Sequence, residues 1–261
     1  AWREGRVKGI RAAVDLLLSV FPFEEAFLRR HGVAARYVGH PLARDMPLHP
    51  DRIGARQGLD IGSEQPVLAL LPGSRISEVS ALAEAFFKTA QRCDHELEQL
   101  QVLVPLVNQK TQDVVEAVRL AVCPQLPVRY LKQDTRTALA ACDVVLVASG
   151  TATLEAMLSK RPMVVGYKVH GLTYLIAKTF GMVKVRFVAM ANLLADEGLA
   201  PEYIQGDCTP ENLAPAVLRF FDDQDEVRRI QARYTQIHQS MQLDTNAEAA
   251  RAVLELLEYE R

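Results

Sequence analysis

A loop that places glycine, serine and arginine side by side has the chemistry of an anion-binding site. Gly73, Ser74 and Arg75 follow the apolar run at residues 67–71. Glycine lets the backbone approach a ligand closely, the serine hydroxyl can donate, and a guanidinium can form two charge-assisted bonds with phosphate oxygens. The loop has neither the Gly-Lys-Ser/Thr ending of a Walker A motif nor GxGxxG spacing. The pattern alone therefore favours a phosphate site and a tight turn with a solvated arginine about equally.

A second loop, rich in small residues, has the same potential. Ser149, Gly150 and Thr151 stand between the apolar run at 144–147 and a segment with helical spacing. Exposed N–H groups and the positive end of a helix attract anions at such a junction. Glu155 follows about one helical turn later, where a carboxylate would repel phosphate but would accept both hydroxyls of a ribose. The competing interpretation is a Ser/Thr helix cap that Glu155 completes.

Three further groups carry side chains that active sites use. Asn192 follows the strand-like residues 187–190 and would present an amide to the same crevice, although an asparagine helix cap is an equally good interpretation. His40 titrates near neutral pH, but lone loop histidines are more often structural than catalytic. The acidic run at 222–225 resembles the metal-binding DxD of some sugar transferases. It joins two predicted helices, so a cap and linker is favoured and no metal is predicted.

The segments around these loops predict a doubly wound α/β fold with a helical C-terminal tail. Short, mainly apolar runs alternate with segments of helical spacing, which indicates a parallel sheet covered on both faces. Ligands bind such a sheet beyond the carboxyl ends of its strands, where both loops lie. The strands are predicted at 67–71, 102–104, 128–131, 144–147 and 162–167. The helices are predicted near 78–92, 111–122, 135–141 and 151–159, and in the tail at 210–221, 225–241 and 246–259.

The residues before this sheet predict smaller elements. Apolar positions at helical spacing favour a helix over 6–21. Pro22 can open a second helix that Gly32 closes, and residues 36–38 have strand character. The polar stretch at 46–65 is typical of a connector with one small helix.

Composition excludes several classes of protein. Thirty basic and 32 acidic residues among the 261 leave a net charge of −2, so no whole-chain field attracts nucleic acid. The four cysteines lie far apart without a CxxC pair, which argues against zinc or a disulfide framework and suits a reducing cytoplasm. No apolar run reaches the roughly 18–20 residues that span a bilayer, and no secretory signal is found. Residues 166–194 mix apolar side chains with lysine and arginine, which favours a buried crossover helix over contact with an anionic membrane.

Several long motifs, in the same order along almost the whole chain, resemble the lipid-A-disaccharide synthase family. They include both loops described above. The matching motifs are 37–42 (Tyr-Val-Gly-His-Pro-Leu), 70–75 (Leu-Leu-Pro-Gly-Ser-Arg) with Glu78 and Val79, 104–108 (Val-Pro-Leu-Val-Asn), 148–158, 162–167 and Asn192-Leu193-Leu194.

The resemblance implies an inverting glycosyltransferase of the GT-B type, with two Rossmann-like domains. Its reaction would join UDP-2,3-diacylglucosamine to 2,3-diacylglucosamine 1-phosphate, releasing UDP and forming the β(1→6) disaccharide of lipid A biosynthesis. No cofactor, metal or nucleic acid is implied. The expected location is cytoplasmic, peripheral on the inner face of the bacterial inner membrane, and homodimer formation is left open.

The same resemblance assigns roles to the residues of the two loops. Arg75 would stabilise the charge that grows on the departing UDP, and Glu155 would bind the ribose hydroxyls. Asn192 would line the cleft. The remaining predicted contacts with the diphosphate are Gly73, Ser74, Ser149, Gly150 and Thr151.

The chain departs from this family at its front. The family begins with a complete domain that carries a Gly-rich loop and the proposed catalytic aspartate, and such a domain needs about 100–150 residues. We therefore expect residues 1–47 to be a remnant of the acceptor domain, 48–241 the UDP-sugar domain, and 242–261 a C-terminal helix. A fragment of this kind is expected to be inactive alone, since His40 and Asp45 are poor substitutes for the base. The alternatives are a non-catalytic UDP-binding or membrane-interaction module and another UDP-sugar enzyme, such as a GT-B transferase or an epimerase.

Overall fold

The computed structural model describes residues 4–168 and 186–259. These residues form parallel strands that are covered by helices. The strands are β1 (Leu17–Ser19), β2 (Ala35–Tyr37), β3 (Val67–Leu71), β4 (Gln101–Leu106), β5 (Val128–Lys132), β6 (Val144–Ala148), β7 (Met163–Tyr167) and β8 (Glu202–Ile204). The helices are α1 (Glu4–Ala13), α2 (Pro22–Arg30), α3 (Pro41–Asp45), α4 (Arg52–Gly58), α5 (Ile76–Glu96), α6 (Gln109–Val122), α7 (Thr135–Ala141), α8 (Thr151–Leu158), α9 (Met190–Ala195), α10 (Pro210–Asp222), α11 (Gln224–Met241) and α12 (Thr245–Tyr259). Among the described helices, none is both long and apolar enough to cross a lipid bilayer.

Six of the strands form one parallel sheet in the order β5-β4-β3-β6-β7-β8. The register places Leu68 of β3 beside Val102 of β4 on one side and beside Val144 of β6 on the other. The chain thus builds outward from β3 to β5 and then returns to the other side of β3. Parallel sheets bind ligands where the winding reverses in this way, and here that point lies between β3 and β6. The predicted Rossmann-like α/β fold is confirmed.

The core of the main sheet explains why its strands read as apolar runs. Every residue of β3 and β6 is buried, since helices cover both faces. On α5, buried side chains recur at helical spacing, including Leu82, Phe86 and Ala90. That helix packs against α6 and α10, whereas α7 packs against α4.

The smaller unit at the front differs from its sequence prediction. The helix predicted over 6–21 is wrong beyond Ala13, because residues 17–19 form β1, which pairs in parallel with β2. A strand partner distant in sequence overrides the helical spacing of the leucines there. A separate small core of Val7, Leu28, Val33 and Ala35 holds this unit together.

The C-terminal helices follow their predicted positions closely, beginning at Pro210, Gln224 and Thr245. The last of them, α12, returns to the front of the chain. Its Glu255 forms an ion pair with Arg36, and Asp244 just before it pairs with Arg44 at 3.1 Å. Ala252 of α12 is buried.

A buried lysine ties the segment after α3 to the main unit. Lys160 donates to the carbonyl oxygen of Pro47 at 3.3 Å and to that of Leu158 at 2.5 Å. Its Nζ also lies 2.5 Å from Nδ1 of His238 on α11, whose Nε2 lies 2.7 Å from the carbonyl oxygen of Ala43. Because a carbonyl only accepts, Nε2 carries the imidazole proton and Nδ1 accepts from Lys160.

The four cysteines, Cys93, Cys123, Cys142 and Cys208, are all free and buried. Burial raises the pKa of the Cys93 and Cys142 thiols to about 12. These side chains act as small apolar groups in the core.

Candidate functional site

The two loops singled out from the sequence lie on opposite sides of one cavity. The first connects β3 to α5 and the second connects β6 to α8, so both stand at the carboxyl end of the sheet where the winding reverses. The cavity has a volume of about 430 Å³. It is lined by Leu71, Gly73, Ser74, Arg75, Glu78, Pro105, Val107, Thr135, Ala148, Ser149, Gly150, Thr151, Ala152 and Glu155. Seven of the eight predicted site residues are therefore brought together.

Two glycines shape the cavity through backbone conformations that other residues rarely adopt. Gly73 has a φ of +125°, and a Cβ there would lie 2.6 Å from Cβ of Glu78. Gly150 has a φ of +147°, and apart from the glycine and its two chain neighbours, no described residue has an atom within 4 Å of the position of its Cβ. Gly150 is also the N-cap of α8. Its open surface lets a ligand reach the first N–H groups of that helix.

Glu78 already engages the donors of the first loop. One oxygen of its carboxylate accepts the N–H groups of Ser74 and Arg75, at 3.2 and 3.3 Å. The other accepts from the guanidinium of Arg75 at 2.7 Å, although 77% of the Arg75 side chain is exposed. An anionic ligand would compete with Glu78 for these groups. The sequence motif includes Glu78 but predicts no role for it.

Internal hydrogen bonds hold the second loop in place. The hydroxyl of Ser149 donates to the carbonyl oxygen of Val188 at 2.9 Å, which uses its only hydrogen. The buried Thr153 donates to the carbonyl oxygen of Gly150 at 2.7 Å and accepts from the N–H of Met190 at 3.0 Å. Phosphate contacts on this side therefore depend on backbone N–H groups and on Thr151.

Glu155 faces the cavity from the second turn of α8. Burial raises the pKa of its carboxyl group, and the positive charge of Arg136 offsets part of that effect. A half-buried carboxyl group gains from hydroxyl donors, which fits a ribose better than a phosphate.

The eighth predicted residue, Asn192, does not line the cavity. Its side chain is buried and fully bonded, donating to the carbonyl oxygen of Ala200 at 2.7 Å and to Glu202 at 2.8 Å. Its amide oxygen accepts the N–H of Ala200 at 2.8 Å. The strand character at 187–190 is also wrong, because α9 begins at Met190 and the residues before it form a loop.

The histidine and the acidic run occupy the structural positions that the sequence favoured. His40 caps α3, since its Nδ1 accepts the N–H of Leu42 at 3.1 Å, and its ring lies 5.0 Å from that of Phe21. Burial lowers its pKa. Asp223 caps α11 by accepting the N–H of Glu226 at 2.9 Å. Within the described ranges, no three histidine, cysteine or acidic side chains form a metal-binding group.

Pro105, Val107 and Thr135 line the cavity without having been proposed as site residues. Pro105 lies near the end of β4, the neighbour of β3, Val107 directly follows that strand, and Thr135 begins α7. A general signal existed, because the ends of adjacent parallel strands meet at one edge. Most of the basic and apolar segment predicted at 166–194 lies outside the described residues.

Comparisons with known proteins agree with this architecture. The family model for lipid-A-disaccharide synthetase matches residues 1–256. A lipid-A-disaccharide synthase of Xanthomonas campestris pv. campestris (strain 8004) is 47% identical over 258 residues, covering 98% of this chain and 59% of the relative. That of Haemophilus ducreyi (strain 35000HP / ATCC 700724) is 44% identical over 261 residues, covering 98% of this chain and 66% of the relative. The chain thus spans 59% and 66% of the length of these two relatives.

Solved structures share the fold at low sequence identity. Sucrose-phosphate synthase from Thermosynechococcus elongatus is 16% identical with a TM-score of 0.61, covering 99% of this chain and 62% of that one. UDP-GlcNAc 2-epimerase from Neisseria meningitidis bound to UDP-GlcNAc is 9% identical with a TM-score of 0.57, covering 94% of this chain and 62% of that one. These structures show only a shared fold, whereas the family-model match and the 47% identical relative show the family. The chain belongs to the lipid-A-disaccharide synthetase family.

Proposed function

We propose that this chain supplies the donor-binding half of a lipid-A-disaccharide synthase. The intact enzyme would transfer 2,3-diacylglucosamine from its UDP derivative to 2,3-diacylglucosamine 1-phosphate, forming the β(1→6) disaccharide and UDP. The observation that carries this proposal is the single cavity at the winding reversal, where an arginine and an open helix start face each other.

The charges of the cavity support a position for the UDP moiety in this proposal. The diphosphate lies between Arg75 and the N–H groups that follow Gly150, and Glu155 accepts the ribose hydroxyls. Negative charge grows on the UDP oxygen as the sugar departs, and preorganised donors stabilise that charge. Arg75 and the helix start of α8 provide such donors without a metal.

The acceptor hydroxyl requires a base that the two loops do not provide. In this proposal the base belongs to the two fifths of the relatives' length that the chain does not span. The chain alone then binds UDP but does not turn over substrate. Because both sugar substrates carry acyl chains, we place the intact enzyme peripherally on the inner face of the inner membrane, as a monomer or a homodimer.

Calorimetry with UDP tests donor binding by this chain, and UMP is the matched control because it lacks one phosphate. We expect UDP to bind clearly more tightly than UMP. Equal affinities would remove the diphosphate from the two loops. No heat with either nucleotide would reject the donor-binding role.

A second candidate, a UDP-sugar 2-epimerase, has the support of fold similarity alone. Product analysis on an intact homologue separates the two. A lipid-A-disaccharide synthase releases UDP only when the donor and the acceptor are both present, and it requires diacylated sugars. An epimerase would change the sugar of a single UDP-sugar substrate and release no disaccharide.

A further inference from the structure

Glu202, at the start of the edge strand β8, accepts three hydrogen bonds from residues 188–192, which comprise a short loop and the first turn of α9. One carboxylate oxygen accepts the N–H of Val188 at 2.9 Å. The other accepts the N–H of Ala189 at 2.9 Å and the side-chain amide of Asn192 at 2.8 Å. In the described part of the chain this carboxylate forms no ion pair with lysine or arginine. Among the described residues, its hydrogen bonds come from the backbone of residues 188–189 and from the side chain of Asn192.

Residues 188–190 anchor the second loop of the cavity, at residues 149–153. Ser149 donates to the carbonyl oxygen of Val188, and the N–H of Met190 donates to Thr153. Thr153 in turn donates to the carbonyl oxygen of Gly150. A series of hydrogen bonds of 2.7 to 3.0 Å, connected through the backbone of residues 188–190, thus joins Glu202 to the start of α8.

Glu202 is itself held against the main sheet. The side-chain amide of Asn192 donates to the carbonyl oxygen of Ala200 and accepts from its N–H, which closes the connection between α9 and β8. Residue 202 lies beside Val165 in the parallel register of β7 and β8. The carboxylate therefore fixes residues 188–190 relative to the main sheet.

We propose that Glu202 is a positioning residue for the UDP cavity. It fixes residues 188–190, and through Ser149 and Thr153 it aims the N–H groups after Gly150 at the diphosphate. Glu202 and Thr153 do not line the cavity, so they act on the ligand only through this hydrogen-bond series. Because it concerns UDP binding, this role rests on the proposed function.

Glu202→Gln is the sharpest test, since it preserves the shape of the side chain and replaces one acceptor by a donor. If the glutamine oxygen keeps Ala189 and Asn192, its NH₂ group faces the N–H of Val188 without an acceptor. We expect UDP affinity to fall about tenfold. Glu197→Gln is the matched control, because Glu197 lies in the same connection but forms an exposed ion pair with Arg229 at 2.7 Å. It should bind UDP like the wild type.

Two further readouts separate positioning from a general loss of stability. The ³¹P chemical shift of bound UDP at saturation should move in Glu202→Gln and stay unchanged in Glu197→Gln. Thr153→Val should also lose about tenfold in affinity, and the double variant should lose little more than either single one, because both break one series. An unchanged shift, wild-type affinity in Glu202→Gln, or fully additive losses would overturn the proposal.

Two results of these experiments call for a further variant or a further measurement. If Glu202→Gln does not fold, Glu202→Asp takes its place, since it keeps the charge but is too short to reach all three donors. If wild-type chain binds no UDP, the proposed function fails, and hydrogen exchange of the amides at 150–153 decides the positioning role. Faster exchange in Glu202→Gln than in Glu197→Gln supports that role, and equal exchange rejects it.

Discussion

At the scale of single residues, the cavity holds an internal competitor for its own ligand. Glu78 accepts from two backbone N–H groups and from the guanidinium of Arg75, which are the donors a phosphate would use. The exposed ion pair between Arg75 and Glu78 contributes little stability in water. Ligand binding therefore exchanges one anionic partner of Arg75 for another at small cost to the fold.

Arg75→Ala in an intact homologue is expected to lower turnover about 10²–10³-fold, the usual effect of removing one preorganised donor. The fold should be unaffected, because the side chain is largely exposed. Arg92→Ala is the control, since Arg92 lies on α5, the helix that begins directly after Arg75, and pairs with Glu211 outside the cavity. Steady-state rates and thermal melts check both variants. Near-normal turnover of Arg75→Ala would remove this residue from the site.

Glu78→Gln is expected to raise UDP affinity severalfold at low salt. Glutamine retains an oxygen for the backbone N–H groups of Ser74 and Arg75, but it carries no charge to repel a diphosphate or to hold Arg75. Calorimetry in low and high salt measures the effect, which should shrink as salt screens the charges. A loss of affinity would mean that Glu78 assists the ligand and does not compete with it.

At the scale of elements, Lys160 and His238 lock the segment after α3 onto α8 and α11. Burial lowers the pKa of Lys160 to about 8, and the neighbouring charge of Arg161 contributes in the same direction. Burial also lowers the pKa of His238. Each group is thus harder to protonate in the folded chain than in the unfolded one, so protonation disfavours this contact.

The free energy of unfolding should depend on pH through Lys160. Between pH 8 and about 10.5 the unfolded chain binds this proton and the folded chain does not. Stability from this group is therefore greatest above about pH 10.5 and is lost as the pH falls towards 8, by at most about 3 kcal/mol. The difference between wild type and Lys160→Met in urea unfolding should rise over this window. A flat difference curve would show that Lys160 keeps its ordinary pKa.

Elements whose pattern is set by local packing could be predicted from the sequence. The strands β3, β4 and β6 read as apolar runs because they are buried on both faces. Elements whose conformation depends on pairing with a partner elsewhere in the sequence could not be predicted in this way. The strand β1 depends on pairing with β2, and β8 depends on pairing with β7.

The same limit applies to the site. The two loops can be found in the sequence because they contain glycine and other small residues. The roles of Glu78 and Glu202 depend on backbone N–H groups, which have no sequence signature. Asn192 was predicted to line the cleft, and the structure instead gives its amide to Ala200 and Glu202. A polar residue type indicates bonding capacity but does not identify the partner.

At the scale of the whole molecule, the C-terminal helix returns to the small unit at the front. α12 contributes the buried Ala252 and the ion pair from Glu255 to Arg36, while Asp244 just before it pairs with Arg44. Each ion pair joins residues that are about 200 positions apart in the sequence. The pairs therefore connect the C-terminal segment to the front of the chain.

Removal of residues 245–261 should loosen the front unit and spare the main sheet. The amides of β1 and β2 are expected to exchange faster by hydrogen exchange mass spectrometry, because β2 loses the ion pair from Arg36 to Glu255. Protection of β3 and β6 and the affinity for UDP should remain as in the full chain. A collapse of protection throughout the main sheet would show that α12 is required for the fold as a whole.

The buried cysteines have a practical consequence for spectroscopy. Maleimide dyes react with exposed thiolate, and none of the four native thiols offers it in the folded chain. A single cysteine introduced at Ile53, which is 72% exposed, would therefore take up one fluorophore at one known place without removal of the native residues. In the unlabelled parent, the rate of dye uptake would serve as a clock for global opening.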